Sequence, residues 1–162
     1  MYEFNEKFSD FYGEHLAFFE LLTLMAFVIF SEEAVDVLIM EVGLGGLLDA
    51  TNVIDYDLSI ITNIGFDHMK QLGNTLESIA NNKLGILKDK SHLITTVDQE
   101  LHSYFMNHMS HKDITYLFIA DNSYYLIDTE TLSYKYKDEI YVLALLGRYQ
   151  ILYYFFPDFV SF

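Results

Sequence analysis

Two apolar runs, Val35 to Val42 and Leu58 to Ile64, are continuous rather than alternating. Each breaks at its end into glycine and polar residues, Gly43-Leu-Gly-Gly46 after the first and Gly65, Phe66, Asp67 and His68 after the second. Strands that are apolar on both faces sit inside a sheet covered by helices, so the pattern predicts an α/β fold with a mostly parallel sheet. In such sheets the ligand site lies beyond the carboxyl ends of the strands. That rule draws attention to Glu41, Asn63, Asp67 and His68, which fall at or just past the two run ends. A carboxylate and an imidazole converging there can hold a divalent cation, and oxygen-rich surroundings favour magnesium over zinc. A satisfied strand-end glutamate and a surface histidine are the plainer alternative.

Lys83 is the second feature of interest. Asn74 is placed as an N-cap with Glu77 as its capping-box partner, and Leu76, Ile79, Ala80, Leu84 and Leu87 follow one helical face. Lys83 falls in the middle of that stripe. An ammonium there must snorkel to water, find a partner or lose its charge. A desolvated amine is nucleophilic and could take up carbon dioxide as a carbamate, which would replace a cation with carboxylate-like oxygens.

The rest of the chain is read more coarsely. Leu16 to Phe30 is a mainly apolar stretch containing Glu20; it is short for a membrane span and has no basic start or small-residue cleavage site, so a buried helix is expected, with one face left exposed and sticky where strands are lacking. Ser91 to Val97 reads as a strand and Asp98 to His108 as a helix, with His102, His108 and His111 expected in solvent. From Ile114 onward ITYLFIA, SYYLI, LSYKYK and IYVLALL read as short strands, giving a β-rich C-terminal part with a hairpin bend at Asp138-Glu139. The net charge of −15 argues against nucleic acid as a partner, and Arg148 is the only arginine, so bidentate phosphate clamping is scarce. No cysteine is present, which excludes disulfides and thiolate sites.

EVGLGG with LDATN, then ITNIGFDH, LGNTLESIA and NKLGILK, in this order and at these spacings, closely resemble the central domain of the folylpolyglutamate synthase and dihydrofolate synthase family, within the Mur ligase superfamily. FFELLTLMAFVIF resembles the helix preceding EVGLGG in that family, so the likeness runs from about Phe18 to Val97. The resemblance implies a cytoplasmic enzyme that uses ATP and magnesium to convert a folate or dihydropteroate carboxylate into an acyl phosphate, which the amino group of glutamate attacks. It also implies that Glu41 and His68 are magnesium ligands and Lys83 the carbamylated lysine, with Asn63 and Asp67 lining the site. LLGRYQ looks like a worn form of the nucleotide-proximal G-x-H-Q segment, which would make Arg148 and Gln150 nucleotide-binding.

The departures are specific. None of the eight glycines lies in a G-x-x-x-x-G-K-[ST] setting, so the phosphate cradle is missing. Leu47 stands where the family carries arginine, and Tyr149 where it carries histidine. The expectation is therefore one partial central domain over 1–162, starting inside a larger domain, with 151–162 as an aberrant tail and no glutamate-binding C-terminal domain. A separate N-terminal fragment could complement it; a non-catalytic remnant or protein-interaction fragment is the alternative.

Overall fold

A computed structural model describes residues 2–119, 124–128, 133–136 and 139–142. The chain forms two compact units, Met1–Asp55 and Tyr56–Phe162.

The first unit holds α1 (Tyr2–Tyr12), α2 (Phe18–Glu33) and a short 3-10 turn, Ala50–Val53. The Glu20 carboxylate accepts the Ala17 amide at 2.7 Å and so starts α2 with half of a reciprocal cap. The exposed face expected of this helix is present and wider than expected: Thr23 is the only buried residue of α2, and Phe18 is 78% exposed. A helix apolar all round needs neighbours on every side, whereas the glycine loop and the 3-10 turn of this unit can meet only a stripe of it. The strand expected over Val35 to Val42 is also absent. This segment is irregular, and Ile39 is 88% exposed. An apolar run becomes a strand only when a ladder partner takes its amides, and the described residues of this unit contain no strand.

The second unit is built on β1 (Leu58–Ile61), β2 (His92–Thr95) and β3 (Thr115–Phe118), paired in parallel in the order β1-β2-β3. Ile60 faces Ile94, which in turn faces Leu117. The crossover from β1 to β2 carries α3 (Met69–Leu72) and α4 (Leu76–Leu84); that from β2 to β3 carries α5 (Gln99–Met109). The N-cap of α4 is Thr75, one residue beyond the expected Asn74: its hydroxyl accepts the Ser78 amide at 3.1 Å. Gly73, with φ 105°, has the Ser78 hydroxyl where a Cβ would project, so the turn into this helix requires glycine for both backbone and space.

Buried residues recur every four positions on α5, at Leu101, Phe105 and Met109, and meet Ile79, Ala80 and Leu84 of α4 over Ile61 and Leu93 of the sheet. On the other face Ile94 and Ile119 pack with Leu58 in a smaller cluster. A second sheet, β4 (Tyr124–Asp128), β5 (Ser133–Tyr136) and β6 (Glu139–Val142), is antiparallel in that order. The C-terminal strands thus occur where the alternation places them, except that β3 joins the parallel sheet. Glu139 is already in β6, paired with Tyr136, and so does not belong to the bend expected at Asp138-Glu139. The expected aberrant tail, 151–162, lies outside the described residues.

Phe105 is fully buried at the centre of the main cluster. Phe105→Ala should lower the unfolding free energy by about 3–5 kcal/mol. Urea unfolding followed by far-UV circular dichroism measures this, and a loss below about 1 kcal/mol would place the core elsewhere.

Candidate functional site

The site is built at the carboxyl end of β1. Beyond Ile61 the chain is held to the neighbouring strand by the Thr96 amide, which donates to the Ile61 carbonyl at 3.3 Å, and by the Thr96 hydroxyl, which donates to the Thr62 carbonyl. Ile64 is buried and anchors the loop from below, while Asn63, Gly65, Phe66, Asp67 and His68 are exposed.

Asp67 and His68 form a local pair. The Asp67 Oδ1 accepts the His68 amide at 2.7 Å, and its Oδ2 lies 3.6 Å from His68 Nε2. His68 is the N-cap of α3 and takes a left-handed backbone, φ 48° and ψ 37°. Its carbonyl accepts the amides of Gln71 and Leu72 at 2.9 and 3.0 Å. The strained turn therefore fixes where the ring starts while the ring itself stays open to solvent. So exposed a contact contributes little to stability in water, and it sets an imidazole nitrogen beside a carboxylate oxygen on the open side of the loop.

Lys83 lies in the last turn of α4 and is half-buried, not enclosed. The periodicity locates its azimuth correctly, but the helix ends at Leu84, one residue later, which opens a route to water for a long side chain. Glu41 belongs to the first unit, in the irregular segment before the glycine loop, and is exposed. The structure thus brings Asp67 and His68 together with Asn63 at the same strand end. Arg148 and Gln150 lie outside the described residues. Among the described residues no three His, Cys, Asp or Glu side chains form a metal-holding cluster.

Asp49 was not singled out by sequence pattern, yet it organises the loop that follows Glu41. Its Oδ2 accepts the Leu44 amide at 2.9 Å, and its Oδ1 accepts the amide and hydroxyl of Thr51 at 3.0 and 2.6 Å. Partial burial opposes ionisation of Asp49, but donation from Thr51, Leu44 and Gly43 outweighs it and holds the carboxyl below its ordinary value. Gly43 lies against the Phe19 ring, and Gly45 takes φ 72°. The D-x-T spacing before a short helical turn is the signal that could have located this anchor. His102, expected in solvent, is instead half-buried: its Nε2 donates to the Val97 carbonyl at 3.0 Å and its ring stacks on Phe118 at 4.0 Å.

The Mur ligase middle domain family matches residues 10–152. The chain belongs to this family. Within it, the dihydrofolate synthase/folylpolyglutamate synthase of Buchnera aphidicola subsp. Schizaphis graminum is 55% identical over 73 residues, 45% of this chain and 18% of that protein. The Bacillus subtilis enzyme of the same name is 50% identical over 82 residues, 50% of this chain and 19% of its own length. The chain therefore spans about a fifth of these curated relatives. The apo form of L. casei FPGS superposes with a TM-score of 0.73 at 26% identity, covering 90% of this chain and 38% of that one. E. coli FolC in complex with DHPP and ADP gives 0.66 at 30% identity, over 83% and 33%. The parallel sheet flanked by helices is the Mur ligase middle-domain architecture of these structures. No helix among the described residues is long and apolar enough to cross a membrane.

Because the folded pKa of Asp49 lies below the unfolded one, its contribution is complete above the unfolded value of about 3.9 and is lost as pH falls through the folded value. Asp49→Ala should cost the loop about 1–2 kcal/mol at pH 7. Faster hydrogen exchange at the Leu44 and Thr51 amides would report it, and the difference from the parent should shrink in acid; equal exchange at neutral pH would remove Asp49 as the anchor.

Proposed function

We propose that the chain is the central part of an ATP-dependent folylpolyglutamate/dihydrofolate synthase, an amide ligase that joins glutamate to a folate or dihydropteroate carboxylate through an acyl phosphate. The observation that carries this is the Asp67-His68 pair held at the carboxyl end of β1, in a chain of the Mur ligase middle-domain family. The ligands of solved relatives support the reading: one is an FPGS–AMPPCP–folate complex, another FolC with DHPP and ADP.

In this reading His68 and Glu41 hold magnesium, and Asp67 and Asn63 line the same site. Magnesium, when bound, supplies positive charge to the phosphate oxygens of ATP. The role of the chain is positional. The Asp67 carboxylate fixes the His68 amide and with it the ring, the Asp49 anchor fixes the loop after Glu41, and Lys83, as its carbamate, presents oxygens in place of an ammonium. Arg148 and Gln150 are assigned to the nucleotide. The alternative reading is a non-catalytic remnant or an interaction fragment, and nucleotide binding separates the two.

Isothermal titration with AMPPCP in the presence of magnesium tests the site. Glu41→Ala should abolish magnesium-dependent binding by the chain, and unchanged affinity would move the site elsewhere; a folded parent chain with no binding would support the remnant. Carbon-13 NMR in labelled bicarbonate should give a carbamate resonance that disappears in Lys83→Arg. Its absence from the parent chain would remove that role from Lys83.

A further inference from the structure

The contacts between Asp67 and His68 fix the two residues relative to each other, but they lie within the loop and do not reach the sheet. The tie to the sheet comes from Thr96, the first residue after β2. Its amide donates to the Ile61 carbonyl at 3.3 Å, and its hydroxyl donates to the carbonyl of the next residue, Thr62. The first bond continues the β1–β2 ladder, and any residue but proline could make it. The second needs a hydroxyl. It falls beyond the last paired residue of β1, where the chain has left the ladder and turns toward Asp67.

Thr96 itself stands on a fixed base, between Thr95 and Val97, which are both buried. The Thr95 carbonyl accepts the Ile119 amide from the end of β3 at 2.8 Å, and the Thr95 hydroxyl accepts the Val97 amide at 3.2 Å. The Val97 carbonyl accepts from His102 Nε2 at 3.0 Å, and the His102 ring stacks on Phe118. A donor mounted on so many fixed neighbours holds its acceptor in place and does not follow it. The stiff χ1 of a β-branched residue also aims the hydroxyl at little entropic cost.

We infer that the Thr96 hydroxyl is a positioning group for the Asp67-His68 site: through the Thr62 carbonyl it sets where the loop leaves the sheet, and so where the pair stands for a magnesium-nucleotide ligand. This rests on the functional reading above, in which Thr96 acts through Thr62 and not by contact with the ligand. Buried Ile64 anchors the middle of the same loop, so the backbone is held at two points before it reaches Asp67. Hydroxyl and carbonyl are uncharged, so this placement is insensitive to salt, whereas the exposed contact of Asp67 with His68 is screened.

NMR of the isotope-labelled full chain, with isothermal titration of AMPPCP and magnesium, tests this. Thr96→Val removes the hydroxyl and keeps the amide and a β-branched side chain. It should shift the Asp67 and His68 resonances and speed hydrogen exchange at Gln71 and Leu72, whose amides bond to the His68 carbonyl. The amide of residue 96 should stay protected and the melting temperature should stay near that of the parent. Magnesium-dependent affinity for AMPPCP should fall about fivefold, in keeping with one hydrogen bond. Thr96→Ser keeps the hydroxyl and should match the parent in loop and affinity. An unmoved loop in Thr96→Val, a serine variant as impaired as the valine one, or loss of protection at residue 96 together with the loop overturns the inference, the last because the fault would then be in the ladder. Should Thr96→Val not fold, the parent decides: three-bond couplings should show the Thr96 side chain in one rotamer, and averaging over several overturns the inference. A loop that moves in Thr96→Val, in a chain whose parent binds no AMPPCP, sinks the ligase reading and leaves the positioning of the pair standing. Binding that ignores a displaced loop puts the nucleotide elsewhere and overturns the inference.

Discussion

The parallel ladder through β2 is the constraint on which the second unit depends. Among the described residues β2 has a neighbouring strand on each side, and its residues serve both faces: Leu93 enters the main cluster and Ile94 the smaller one. The helices α4 and α5 cover one face because their apolar stripes, Ile79 with Leu84 and Leu101 with Phe105, converge over it. The same ladder sets the site. Because Thr96 continues from β2 and bonds back to Ile61 and Thr62, the loop carrying Asp67 and His68 leaves β1 in a defined direction.

The first unit is organised differently, around a carboxylate in place of a sheet. Asp49 gathers amides from Gly43, Leu44 and Thr51, and the glycines permit the tight path this requires. The anchor fixes the loop after Glu41 without burying apolar area, which is why α2 and the segment from Val35 to Val42 remain so open beside it. Order here is local and polar; in the second unit it is distributed and apolar.

Elements whose partners lie within their own unit could be read from the sequence. β2, α4, α5 and the strands after Ile114 follow their periodicity closely, since each finds a neighbour to pack or pair with. Val35 to Val42 carries an equally strong strand pattern and forms none, because composition states what a segment can bury and is silent on whether a ladder is present. The strand-end pair Asp67-His68 was legible from the break of an apolar run into polar residues. Lys83 was legible in azimuth but not in depth, since the pattern does not reveal that the helix stops one residue later. Asp49 was missed because its partners are backbone amides, which leave only a faint trace in side-chain sequence.

The exposed apolar surface of α2 coexists with a large excess of negative charge over the whole chain. Mutual repulsion then keeps molecules apart where greasy contact would join them, so the colloidal behaviour of this protein is governed by ionic strength. At about 0.1 M salt the screening length is near 10 Å, comparable with the width of a helix, and at about 1 M it falls to near 3 Å. Added salt therefore uncovers a stickiness that dilute buffer conceals.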